Sequence, residues 1–158
     1  MEIFRTTSKL ELKQWAGKRR VFIELSPAIP GVKGQPQAGE QRFDYTKKVR
    51  ISFRTVEMFT AAYKFLGLAH GAELELKKFA DMSKSVGTGD DKKQLLVNKY
   101  NDKISVSIKS GDNKVSINIE PEESYAIGKW FEAQATRFAL LESDEEDGKA
   151  SDAVKASE

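Results

Sequence analysis

Few residues in this chain could carry covalent chemistry. It has one histidine, His70, and no cysteine. That removes thiol nucleophiles, disulfides and thiolate zinc sites together, and it leaves no multi-histidine set for a metal. His70 follows a helical segment and precedes Gly71, which is the place of a helix C-terminal cap. Two groups of carboxylates could hold a divalent cation: the pair Asp90-Asp91 and the run Asp144-Glu145-Glu146-Asp147. The first sits in a glycine-rich loop and the second in an acidic tail, so solvated charge is the expectation for both. Gly87-Thr88-Gly89-Asp90-Asp91-Lys92-Lys93 lacks the G-x-x-x-x-G-K-[ST] spacing of a phosphate loop, and no helix follows it. The expectation is a protein that is not an enzyme, with no catalytic residue, no metal and no cofactor.

The chemistry the sequence does offer is electrostatic. Several segments alternate apolar and polar residues with the two-residue period of a half-buried strand. One face takes Val21, Ile23, Leu25, Val49, Ile51, Phe53, Ile104, Val106, Ile108, Val115, Ile117 and Ile119. The other takes Arg20, Phe22 and Glu24; Arg42, Asp44, Thr46, Lys48, Arg50 and Ser52; Lys103, Ser105, Ser107 and Lys109; Lys114, Ser116, Asn118 and Glu120. Lysine and arginine attract phosphates, hydroxyls and amides can bond phosphate, sugar or base, and an exposed ring offers a base a stacking surface. The candidate nucleic-acid-binding residues are Arg20, Phe22, Arg42, Lys48, Arg50, Tyr100, Lys103, Lys109, Lys114 and Asn118. Trp15, near Lys13, Lys18, Arg19 and Arg20, is a further candidate, with core or hinge packing as its alternative. The competing reading of the whole face is that strands facing water are commonly rich in Lys, Ser and Thr. Glu24, Asp44 and Glu120 favour that second reading.

The elements that must position these side chains follow from the same pattern. Thr55–Leu68 and about Pro121–Leu141 show helical spacing. Thr55 is the expected N-cap of the first, and Gly67 and Gly71 its stop. Pro121 is suited to the first turn of the second, followed by Glu122 and Glu123. In that helix Ile127, Phe131, Gln134, Phe138 and Leu141 form one stripe, with Trp130 beside it expected in the core or a dimer interface. Strands are expected at 20–25, 42–53, 94–100, 103–109 and 114–120, with short ones at 3–6 and 73–77. Ser110-Gly111-Asp112-Asn113 supplies a hairpin turn. The segment 26–40, with three of the four prolines, reads as an excursion from the sheet, and 83–93 as a hydrophilic connector. The order strands–helix, connector, strands–helix predicts an α+β fold: curved antiparallel sheets with helices on one face, in two units, roughly 1–70 and 73–141.

Charge divides the chain differently. Of 26 basic and 24 acidic side chains, residues 142–158 hold two and seven, a net of −5, which leaves 24 and 17 on residues 1–141, a net of +7. A basic body attracts polyanions. The acidic stretch has one aliphatic residue larger than alanine and is expected to be a disordered tail that tunes affinity or contacts other proteins. No apolar run suits a signal peptide or a membrane span, so a soluble cytoplasmic protein, or a nuclear one in a eukaryote, is expected.

The stretches RRVFIEL, QRFDYTKKVRISF and TVEMFTAAYKFLGL, then QLLVNKY, DKISVSIKSG, KVSINIE and EESYAIGKWFEAQATRFALL, resemble the Whirly and Pur-alpha class of single-stranded nucleic-acid binders, which includes the positive-cofactor transcriptional coactivators. The resemblance covers most of residues 1–141 and is one of topology and pattern. It implies units of a four-stranded sheet and a helix, strand-face basic and aromatic residues as the binding site, and assembly as a dimer or higher homo-oligomer. The function expected is sequence-independent binding of single-stranded DNA in replication, recombination or transcription. The alternatives are an RNA binder of the same architecture and a protein-interaction module that binds no nucleic acid.

Overall fold

The computed structural model describes residues 1–31, 41–71 and 92–157. Its elements run β1 (Glu2–Phe4), β2 (Ser8–Trp15), β3 (Arg20–Pro27), β4 (Val49–Phe53), α1 (Thr55–Ala69), β5 (Lys93–Tyr100), β6 (Lys103–Ser110), β7 (Asn113–Ile119) and α2 (Pro121–Ser157). All strand pairs are antiparallel, in a first sheet β1-β2-β3-β4 and a second sheet β5-β6-β7. The fold is α+β, with each helix closing a run of strands, as expected. The expected strand at 73–77, most of the 26–40 excursion and most of the 83–93 connector lie outside the described residues.

Every residue assigned to the inward strand face is buried. The inward faces of both sheets share one core with Met58, Ala61, Ala62, Phe65 and Leu68 of α1 and Ile127, Phe131, Ala135 and Phe138 of α2. Phe131 organises the helical side of that core. It meets Phe53 edge-on at 5.0 Å, lies parallel to Phe65 at 6.1 Å and takes Trp130 edge-on at 5.4 Å. Trp130 is thus core-packed, one of the two expected alternatives. Where the helices cross, the buried Ser124 hydroxyl donates to the Phe65 carbonyl at 2.8 Å. Gly128 gives the close approach, because a Cβ there would lie 2.7 Å from Leu66 Cγ.

Five expectations are corrected. The strand at 42–53 is shortened to β4. The Asp44 side chain accepts from the Thr46 backbone N–H at 3.0 Å and caps a 3-10 turn at Tyr45–Lys47, a local bond that competes with the ladder. Phe43 instead makes an isolated bridge to Ala28. β2 was not expected. Its inward Leu10 and Leu12 are buried, but its outward residues are Lys9, Glu11 and Lys13, types depleted from strands. Thr55 is the first residue of α1 rather than its cap. Arg54 holds the cap position, and Glu57 reaches back to accept from the Arg54 N–H at 3.0 Å. Glu24, expected on the exposed face, is 1% exposed. Finally, α2, expected to end near Leu141, runs to Ser157. Its residues 142–149 are solvent-exposed.

α1 ends as the sequence predicts. His70 is its C-cap and Gly71 follows at φ +93, in the left-handed region that glycine enters without steric cost. The hairpin turns use the same device, at Asn101 (φ 54) and Gly111 (φ 60). Among the described residues no helix is long and apolar enough to cross a membrane.

Candidate nucleic-acid interface

Strand register turns the outward residues into cross-strand rows, and the two sheets differ sharply. On the first sheet, Glu2 pairs with Glu11 and Glu11 with Glu24, and Glu24 faces Arg50. Carboxylates directly opposite one another repel, and flanking lysines resolve the repulsion. Lys9 reaches Glu2 at 3.0 Å and Glu11 at 3.1 Å. Lys13 reaches Glu11 at 3.5 Å and Glu24 at 2.8 Å, and Lys48 reaches Glu24 at 3.6 Å. Hydrogen bonding to Glu24 holds the Lys13 ammonium above its usual pKa. Burial alone would lower Lys9, but its bonds to Glu2 and Glu11 outweigh this and raise it. The reciprocal bond from Lys9 lowers Glu2. Lys9 also stands 5.2 Å from the Phe4 ring and 5.5 Å from the Tyr45 ring. The cations at the centre of this face are therefore already matched by carboxylates.

The strands of the second sheet differ in composition. β5, β6 and β7 hold five lysines and no acidic residue. Its outward rows are Gln94–Lys109–Lys114, Leu96–Ser107–Ser116, Asn98–Ser105–Asn118 and Tyr100–Lys103. The Ser107 and Ser116 hydroxyls bond each other at 2.7 Å, which leaves the lysine row on one side of them and the amide row on the other. Tyr100, at the end of β5, is 77% exposed. It lines an open cleft of about 400 Å³ with Asn101, Asp102, Lys103, Ser105 and Asn118. Such a cleft presents a ring, a cation, a hydroxyl, amides and the Asp102 carboxylate side by side. The free edge of β7 is covered from the first sheet: Ser8 Oγ donates to the Ser116 carbonyl at 2.7 Å and Arg5 Nε to the Asn118 carbonyl at 3.0 Å. An unpaired edge is thereby removed from solvent.

The expected site residues fall into four places. Tyr100, Lys103 and Asn118 meet in that cleft, and Lys109 and Lys114 are cross-strand partners on the same face. Lys48 and Arg50 line a second cleft at the seam between the sheets, and Arg50 lies over the Phe22 ring at 5.2 Å. Trp15 and Arg20 pair at the far end of β2–β3, beside the turn where Arg19 holds Glu145 of α2. Arg42 stands apart: it lies outside any strand, over the Phe43 ring at 5.5 Å, and donates to the Arg5 carbonyl at 3.4 Å. Sequence reasoning missed Lys93, Ser110 and Asn113, which complete the seam cleft. Only the register of two separate sheets brings them to Lys48. Among the described residues no cluster of three or more His, Cys, Asp or Glu could hold a metal, and His70 packs edge-on to Tyr125 at 6.1 Å.

No protein-family model matches the sequence, and no curated protein matches it. Solved structures do. The plant transcriptional regulator PBF-2 superposes with a TM-score of 0.56 at 14% identity, over 93% of this chain and 85% of that one. MRP1/MRP2 of Trypanosoma bruciei gives a TM-score of 0.51 at 9% identity, over 86% of this chain and 90% of that one. At these identities the likeness shows the fold, which is the Whirly-like architecture the sequence pattern resembles.

Proposed function

We propose that this protein binds single-stranded nucleic acid, DNA in the first instance, without sequence preference. The observation that carries the reading is the outward face of the second sheet, where lysines, hydroxyls and amides are ranked in rows with no carboxylate in the strands and Tyr100 stands exposed at one end. Lys103, Lys109 and Lys114 attract the phosphates, Tyr100 stacks a base, and Ser105 and Asn118 bond whichever polar edge arrives. A face of this kind suits a flexible strand, whose bases can splay, better than a duplex that hides them. The likeness to a transcriptional regulator supports a place in transcription, with replication and recombination the other settings for the same activity. The role is one of binding and needs no catalytic group. We also infer self-association through α1, where Val56, Phe59 and Tyr63 are exposed at helical spacing on one side.

The test is a fluorescence-anisotropy titration of labelled single-stranded DNA, with duplex DNA and single-stranded RNA as competitors, at several salt concentrations. Preference for single strands and a log–log salt slope near −0.7 per neutralised phosphate are expected. The triple variant Lys103→Gln, Lys109→Gln, Lys114→Gln should flatten that slope by about 2 with an unchanged thermal midpoint. A preference for RNA would assign the sugar. No binding to any strand would leave the protein-interaction reading.

A further inference from the structure

The seam cleft encloses about 250 Å³ between Lys48, Val49 and Arg50 of the first sheet and Lys93, Ser110 and Asn113 of the second. Among the described residues no carboxylate lines it. Glu24 reaches Lys48 at 3.6 Å. The Asn113 amide nitrogen donates to the Lys47 carbonyl at 3.0 Å. That bond ties the two sheets together at the cleft and fixes the Asn113 side chain, leaving its oxygen as an acceptor. The residues that line this space bring the Lys48 ammonium, the Arg50 guanidinium and the Ser110 hydroxyl to it, a set that matches a phosphate.

The position of the cleft gives it a partner. Lys93, Ser110 and Asn113 form the terminal cross-strand row of the second sheet, one step beyond the outward row Gln94–Lys109–Lys114. The Tyr100 cleft lies at the opposite ends of the same strands. From Lys103 to Ser110 is seven residues of β6, roughly 24 Å at ~3.4 Å each. Resting on the strand-binding reading above, we propose that one nucleic-acid strand runs the length of β6. It stacks a base on Tyr100, passes the Lys109–Lys114 row, turns over the Gly111 rim and seats a backbone phosphate in the seam cleft. The two clefts face opposite sides of the sheet, so the strand bends at the rim, which a single strand can do and a stiff duplex cannot. The span corresponds to about seven nucleotides at a stacked rise of ~3.4 Å, and to fewer when the strand is extended.

The proposal predicts that the seam matters only to ligands long enough to reach it. The full chain is compared with the double variant Arg50→Gln, Ser110→Asp, using a 12-nucleotide oligothymidylate and a trinucleotide. Neither substitution touches the Glu24 ion pairs. The 12-mer should lose about tenfold in affinity, and its salt slope should flatten by about 1.4, two charge units at ~0.7 each. The trinucleotide should change less than about twofold, since the Tyr100 cleft alone holds it. If the double variant melts early, S110D alone serves. In separate arms, the backbone amide resonances of Ser110 and Asn113 are followed during titration with the 12-mer and with inorganic phosphate. Shifts with the 12-mer support the proposal. Shifts with inorganic phosphate alone would assign the cleft to a free anion and overturn it, as would wild-type affinity and slope for the 12-mer in the double variant. A chain that binds the 12-mer, and loses it on the lysine triple substitution but not at the seam, sinks the path and keeps the strand-binding reading. A chain that binds no strand sinks both.

Discussion

At the scale of single residues, Tyr100 and Glu24 mark the two kinds of surface this fold builds. Tyr100 is exposed and tied to nothing that supports the core, so Tyr100→Ala should leave the melting temperature unchanged while lowering single-strand affinity by the worth of one stacked base, about 1–3 kcal/mol. Anisotropy with a short oligothymidylate reads this directly, and an unchanged affinity would remove the ring from the site. Glu24 is the opposite case. Its carboxylate is buried on the outward side of β3 with Lys13 at 2.8 Å and Lys48 at 3.6 Å. Its neutralising effect explains why the basic residues of the first sheet form a weaker candidate surface than those of the second. The reading of Lys48 and Arg50 as general phosphate contacts thereby narrows to the cleft they line.

At the scale of elements, the helix crossing gives a test of packing against propensity. Alanine at Gly128 gains about 1 kcal/mol of intrinsic helix stability. Its Cβ, however, would stand 2.7 Å from Leu66 Cγ and 3.0 Å from the Leu66 backbone nitrogen, and overpacking of this kind costs about 1–3 kcal/mol. Gly128→Ala should therefore lower the thermal midpoint by a few degrees. A rise would mean that α1 can shift to make room. The sequence located these elements unevenly, for physical reasons. Alternation found β3, β6 and β7 because side chains in a strand must alternate between faces, and Pro121 and Gly71 marked helix ends because their backbone constraints are local. β2 escaped because Lys9, Glu11 and Lys13 disfavour strands in isolation and are tolerated here only through partners on β1 and β3. The 42–53 strand was overextended because the Asp44 turn bond is stronger than the alternation it interrupts. The Tyr100, Lys103 and Asn118 cluster was legible in part, as members of one face, whereas the seam cleft needed the relation between two sheets.

At the scale of the whole molecule, the opposed charges of the body and the acidic stretch meet where α2 passes the first sheet. The Thr55 hydroxyl donates to Glu142 at 2.8 Å, and the Arg19 guanidinium grips the Glu145 carboxylate with both terminal nitrogens. Arg19 holds φ 49, a left-handed conformation uncommon outside glycine and asparagine, and lies between Lys18 and Arg20 at the edge of β3. The acidic helix thus occupies a basic corner that would otherwise add to the attraction for a polyanion. The hydrogen bonds from Arg19 hold the Glu145 carboxyl below its usual pKa. Because the folded value is the depressed one, the contact is at full strength above the ordinary glutamate value of about 4.3 and fades as pH falls through the lower folded value. Two consequences can be read in one set of measurements. Glu145→Gln at neutral pH should speed amide exchange over residues 142–149 and around Arg19, and acidification of the wild type below about pH 4 should reproduce that loosening. The same variant should bind single strands more tightly, with a salt slope steeper by about 0.7, because a guanidinium has been returned to the basic surface. Faster exchange without tighter binding would make α2 a structural brace only. Neither effect at neutral pH would mean that Arg19 and Glu145 meet without restraining each other.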